Sequence, residues 1–191
     1  MRTYKTVSQA ERLRLIRQMP VPMSEADQIQ ISIIDVRVGG YIQIGNEVYY
    51  ADEMNRYSET WDGRTTEWFE LRLTSLVSGK ICYLEWEEDD SIEIYIYTEL
   101  LKLQALGIGS RDLEEEEDFS YGAELFRYDD DNDATFYRDR SGNGERYYYW
   151  DYYNSNDSLC MGIERWDSNS YEAHLGHAVD DRNIRVLVKE G

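Results

Sequence analysis

Histidine, cysteine and proline are scarce in this 191-residue chain, with two of each. Cys82 and Cys160 are too few for a disulfide framework or a cysteine-based zinc site, so free thiols are expected. They fall at nearly matched strand positions, where folding could bring them close. His174 and His177 have no cysteine nearby to complete a familiar zinc pattern, and their spacing of three on a strand sends them to opposite faces. Structural or surface roles are expected for both. Basic residues are also few, 20 against 39 acids, for a formal net charge of -19. Direct binding of a nucleic-acid backbone is therefore not expected. No apolar run approaches a membrane span, and the first residues lack the continuous apolar stretch of a signal peptide, so a cytoplasmic protein is expected. No GxSxG, GxxxxGK or dinucleotide fingerprint occurs, so no catalytic residue or cofactor is assigned.

What is present is a folded, mainly β pattern, 41% hydrophobic and 14% aromatic. Residues 1–34 read as a short N-terminal helix and linker. Ser8 and Glu11 form a capping box, Leu13 and Ile16 share one side, and Pro20 and Pro22 end the helix. Its basic residues leave peripheral membrane association open. From Gly39 the period becomes two. Gly45-Asn46 marks a two-residue hairpin, and Ser78-Gly79 and Asp89-Asp90 mark further turns. In "WFELRL", Phe69, Leu71 and Leu73 share one face, and Trp68, Glu70 and Arg72 the other. "TELLKLQALG" reads as a helix from Thr98 to Gly107. Residues 35–111 thus form a first antiparallel meander with one wet face. Residues 112–119 read as a solvated acidic linker, and 120–191 as a second meander.

The two meanders resemble each other. Phe69, Glu70 and Leu71 align with Trp150, Asp151 and Tyr152. Glu85, Ser91, Glu93 and Ile96 align with Glu164, Ser170, Glu172 and Leu175 after a small shift, such as a shorter hairpin loop leaves. Two units that cannot each bury a face alone are expected to pack as a β-sandwich or partly open barrel. The alignment also gives a phase to "ERYYYWDYY", where both alternating sets are aromatic. Tyr148, Trp150 and Tyr152 should face the core, and Tyr147, Tyr149, Asp151 and Tyr153 the outside.

The segments "TTEWFELRL", "YLEWEEDDSIEIY", "YYWDYY" and "MGIERWDSNSYEAHLG" resemble the bacterial family called domain of unknown function 4178, over roughly residues 35 to 188. The resemblance rests on aromatic-acidic-aromatic strands. It implies a bacterial, β-rich protein and brings no activity with it. Association of some relatives with membrane-stress gene neighbourhoods hints at an accessory or assembly role. The acidic run Glu114–Glu117 is outside the family pattern.

Several residues invite chemistry. Asp129, Asp131 and Asp133 have the spacing that opens an EF-hand loop, but Ala134 stands where a glycine must turn and Arg140 where the bidentate glutamate belongs. A solvated acidic turn is expected instead. Glu85 and Glu164 are weak metal candidates, because repeat packing could bring them together. The plainer reading is two outward glutamates on matched strands. Trp61, Trp68 and Trp86, with Tyr83, Tyr95 and Tyr97, could line a groove, since such rings bring large contact area at low entropy cost. The binding-surface residues expected are Trp68, Glu70, Tyr95, Tyr97, Tyr147, Tyr149, Asp151 and Tyr153. The leading expectation is a non-enzymatic interaction or assembly module for a protein partner. The alternatives are an acidic DNA mimic that inhibits a nucleic-acid-binding protein, and a metal-binding or hydrolytic protein using the paired glutamates.

Overall fold

The computed structural model describes residues 2–88, 92–167 and 170–190. The turn at Asp89-Asp90, the aligned Ser91 and the turn residues 168–169 lie outside them. Eleven strands form one sheet: β1 (Tyr41–Ile44), β2 (Glu47–Trp61), β3 (Arg64–Ser75), β4 (Ile81–Glu88), β5 (Ile92–Leu101), β6 (Phe119–Tyr121), β7 (Glu124–Tyr137), β8 (Glu145–Tyr153), β9 (Leu159–Asp167), β10 (Ser170–Ala178) and β11 (Ile184–Val188). Their order is β11-β1-β2-β3-β4-β5-β10-β9-β8-β7-β6, and β2 also pairs with β7. That last pairing joins Arg56–Glu59 to 134–137 and closes eight strands, β2–β5 and β7–β10, into an antiparallel barrel. The strands do not stack as a sandwich, and the barrel is not open.

Closure depends on two long strands that change neighbours. One edge of β2 stays on β3, while the other passes from β1 at residues 47–50 to β7 at residues 56–59. One edge of β7 stays on β8, while the other passes from β6 at residues 124–126 to β2 at residues 134–137. Each strand has a register shift between the two stretches, at Ala51/Glu53 and at Tyr128/Asp130. A bulge adds twist and bends its strand, so each bends away from its outer partner into the ring. The Asp129–Asp133 stretch is therefore strand, where a solvated turn was expected.

The local punctuation of the sequence acts largely as read. Ile44 pairs with Glu47 across Gly45-Asn46, and Gly45 takes the positive φ that this tight turn requires. Ser8 Oγ accepts from the Glu11 amide at the start of α1 (Gln9–Gln18). The helix seats Leu15 against Tyr41, Leu76 and Val188, and leaves Leu13 and Ile16 on its exposed side. The expected helix at 98–107 is mostly strand. Thr98–Leu101 continue β5 because Leu100 and Leu101 pair with β10, and only α2 (Leu103–Leu106) is helical before Gly107. In the acidic stretch, a short helix α3 (Ser110–Glu114) buries Leu113, and Phe119 begins β6.

The two largest apolar clusters lie on the outside of the barrel wall. Leu71, Leu84, Trp86 and Ile94 point outward and are covered by Ile33, Val36 and Ile42, with Ile184 and Val186 of β11. Trp150, Tyr152, Met161 and Ile163 point outward on the other half, beneath Leu103, Leu106, Leu113, Phe119 and Phe126. The alternate positions fill the lumen. Trp68 of β3 meets Tyr149 of β8 at 5.9 Å between ring centroids, although these strands are not neighbours in the ring. The sequence phase of "ERYYYWDYY" holds, but its sides are reversed relative to solvent: Tyr147, Tyr149, Asp151 and Tyr153 face the barrel interior.

Candidate functional site

The lumen is built from the wet-face positions of the two meanders, closed by the N-terminal arm. Thr6 bridges Lys80, and the Val7 amide bonds to the Gly79 carbonyl, which threads the preceding residues into the barrel. Arg2 reaches the centre and is 5% exposed. Its Nε donates to Glu70 Oε2 at 2.5 Å and its Nη2 to Glu85 Oε2 at 2.5 Å. Nη1 lies 3.6 Å from Glu164 Oε1. The guanidinium carbon sits 4.3 Å from the Tyr97 ring centroid, a cation–π contact. Burial works against the charged guanidinium, but Glu70 and the surrounding groups outweigh it and hold Arg2 protonated.

Glu70 is the most fully satisfied of these acids. It also accepts from Asn55 Nδ2 at 3.0 Å and from the Tyr57 hydroxyl at 3.1 Å. Desolvation pushes the Glu85 carboxyl up to about 7, because Arg2 only partly offsets it and Glu70 and Glu164 add like charge. Desolvation also acts to raise Glu164, yet Arg2 and His174 hold it at about 2. Asp151 is pushed well above the carboxylate range by removal from water, then by the charges of Glu85 and Asp130. Glu85 and Glu164 are thus brought together around one arginine, where outward glutamates were the plainer expectation.

All eight expected surface residues lie along this interior. Trp68, Tyr95, Tyr97, Tyr149, Asp151 and Tyr153 line a cleft of about 290 Å³ that also takes in Glu59, Glu85 and Asp130. A smaller space of about 30 Å³ shares Trp68, Tyr97, Tyr149 and Asp151 with it and reaches Tyr147, Arg2 and Glu164. The Tyr149 hydroxyl donates to Glu59 Oε2 at 2.7 Å. Tyr147 stacks on Trp166 at 4.8 Å, and Tyr95 meets Tyr153 at 5.6 Å. Glu70 sits deeper, on Arg2.

Trp61 is exposed at the end of β2, and Trp86 is buried in the first outer core. Cys82 belongs to that same core, whereas Cys160 faces Tyr97 within the lumen, so the two thiols belong to different clusters. His177 is exposed, and His174 is fully buried. A register shift between Leu175 and Gly176 separates them. Gly176 allows the close approach, since a Cβ there would stand 2.4 Å from Cys160 Sγ and 2.9 Å from the Tyr97 ring. Arg2 had no readable signal, because it precedes every periodic segment, and the neighbours of His174, which are Tyr4, Glu164 and Glu172, are set by the tertiary fold.

Residues 37–181 match the protein family described as Domain of unknown function (DUF4178). The chain belongs to this family. No curated protein and no solved structure matches it. The DUF4178 match takes in every strand of the closed ring and stops short of β11. It also leaves out Arg2 and α1, so the arm that closes the lumen lies beyond the family match.

Proposed function

We propose that this DUF4178 chain is a non-enzymatic interaction module whose barrel cleft takes a basic side chain of a protein partner. The observation that carries this reading is how the lumen already handles its own guanidinium: paired carboxylates on its nitrogens and a tyrosine face beneath it. The outer cleft repeats that chemistry with Trp68, Tyr95 and Tyr153 beside Glu59, Glu85 and Asp130, and no lysine or arginine is among its described lining residues. Carboxylates and aromatic faces together favour a desolvated cation over any other ligand class. The interaction reading is preferred to a DNA mimic, which needs acids spread along a surface at duplex-like spacing. Here Glu70, Glu85, Asp151 and Glu164 are turned inward.

We read the barrel as two copies of one four-stranded unit, β2–β5 and β7–β10. In support, the aligned pairs Glu70/Asp151 and Glu85/Glu164 face the lumen, and Leu71/Tyr152 face the outer cores. Duplication accounts for a lumen lined by acids from both halves.

The test is a titration of the full chain with short arginine- or lysine-bearing peptides, followed by tryptophan fluorescence, with a glutamate-bearing peptide as control. Saturable binding that weakens with salt and is lost in Trp68→Leu and Asp130→Asn is expected. Equal binding of the acidic peptide, or none of the basic ones, would overturn the reading.

A further inference from the structure

Beside Arg2, on the next two strands of the lumen, stand Glu164 of β9 with Glu172 and His174 of β10. One ligand atom from each lies within 4.8 Å of the others, and all three residues are buried. His174 Nε2 is 3.6 Å from Glu164 Oε2 and 3.6 Å from Glu172 Oε2. Neither separation is a hydrogen bond. Nε2 and Glu172 Oε2 both lack a hydrogen-bond partner despite full burial of the atoms. Buried polar atoms are almost always partnered, because an unpaired one loses its hydration with nothing in return. A proton shared with a single carboxylate would draw the pair together. Nε2 instead stands equidistant from two oxygens, at nearly the ~3.4 Å edge of a tetrahedron whose metal bonds are ~2.1 Å.

We propose that Glu164, Glu172 and His174 form a binding site for a divalent transition-metal ion, with zinc the best fit to one imidazole and two carboxylates. Three protein ligands leave a fourth position for water. The surroundings orient each ligand as metal sites require. The Tyr4 hydroxyl lies 3.1 Å from His174 Nδ1; with the ring proton there, Nε2 presents its lone pair to the ion. Trp166 Nε1 donates to Glu164 Oε2 at 2.9 Å, and Arg2 faces Oε1. Glu172 also lines a groove beside Thr3, Lys5 and Lys80, which gives the ion a way in along the arm. Because Tyr4 holds His174 and Arg2 holds Glu164, docking of the arm and metal occupancy are coupled.

The experiment strips the full chain with chelator and titrates it with Zn²⁺ against a chromophoric competitor, and with Co²⁺ by visible absorption. One ion per chain is expected, with cobalt bands of tetrahedral intensity and a ¹⁵N shift of His174 Nε2 on zinc addition. His174→Gln should abolish that site, and Tyr4→Phe should weaken it ~10-fold, as loss of a ligand-orienting partner does. If His174→Gln fails to fold, the imidazole shift in the unmutated chain decides alone. Absence of zinc uptake, uptake without change at His174 Nε2, or cobalt spectra of an octahedral surface ion would overturn the site.

Discussion

Arg2 and Glu70, 68 positions apart in the chain, meet at 2.5 Å in the middle of the barrel and are 5% and 1% exposed. An arm without strand or helix periodicity thus supplies the main positive charge of a lumen lined by Glu70, Glu85, Glu164 and Asp151. Removing one partner of a buried ion pair leaves the other desolvated and unpaired. Arg2→Ala is therefore expected to cost about 3–5 kcal/mol in urea unfolding. Arg2→Lys should cost less, since it keeps the charge but loses the planar fork that reaches Glu70 and Glu85 together. An unchanged unfolding midpoint in Arg2→Ala would show that the arm does not close the barrel in solution.

Acidity should act on stability in two opposed windows. Glu85 is raised from 4.5 to about 7, so between those values the folded chain holds a proton that the unfolded chain has released. Stability from this group is full below 4.5 and falls as pH rises to about 7. Glu164, lowered to about 2, behaves oppositely: its stability is full above 4.5 and falls as pH drops towards 2. Their sum peaks near pH 4.5. Thermal unfolding across this range should show a decline towards neutral pH that is flattened in Glu85→Gln. A decline of the same slope in that variant would assign it to other groups.

Leu113 tests the role of the acidic stretch. It is fully buried as part of the second outer core, between Arg111, Asp112 and Glu114–Glu117. Leu113→Ala should cost about 2–5 kcal/mol, the range for a large-to-small change in a packed core. Glu115→Ala and Glu117→Ala, which alter exposed side chains, should lie within ~0.5 kcal/mol of the parent chain. Denaturant midpoints for the three variants check this. A small loss in Leu113→Ala would mean that this segment only connects the halves.

Much of the barrel is legible in particular residues. Gly45-Asn46 and the alternations around Phe69 and Ile94 locate the hairpins and their two sides, because turn chemistry and the period of two are local. The shared phase of "WFELRL" and "YYWDYY" places Trp68, Glu70, Tyr149 and Asp151 in one set. Thr98–Leu101 are strand although a short apolar run fits helix and strand alike, and only pairing with β10 decides between them. Leu113 was hidden by its charged neighbours, which dominate composition but not packing.

The sequence alone determined which residues share a side of each strand, since successive side chains alternate about a pleated backbone. It could not determine which side is inside. That was decided by the β2–β7 seam, which curls the sheet so that the acidic and tyrosine positions converge while the aliphatic ones turn out beneath the flanking segments. The same curling brings Glu85, Glu164 and His174 around an arm from the far end of the chain. Convergence of that kind depends on distances through space, and alternation along a strand carries no record of them.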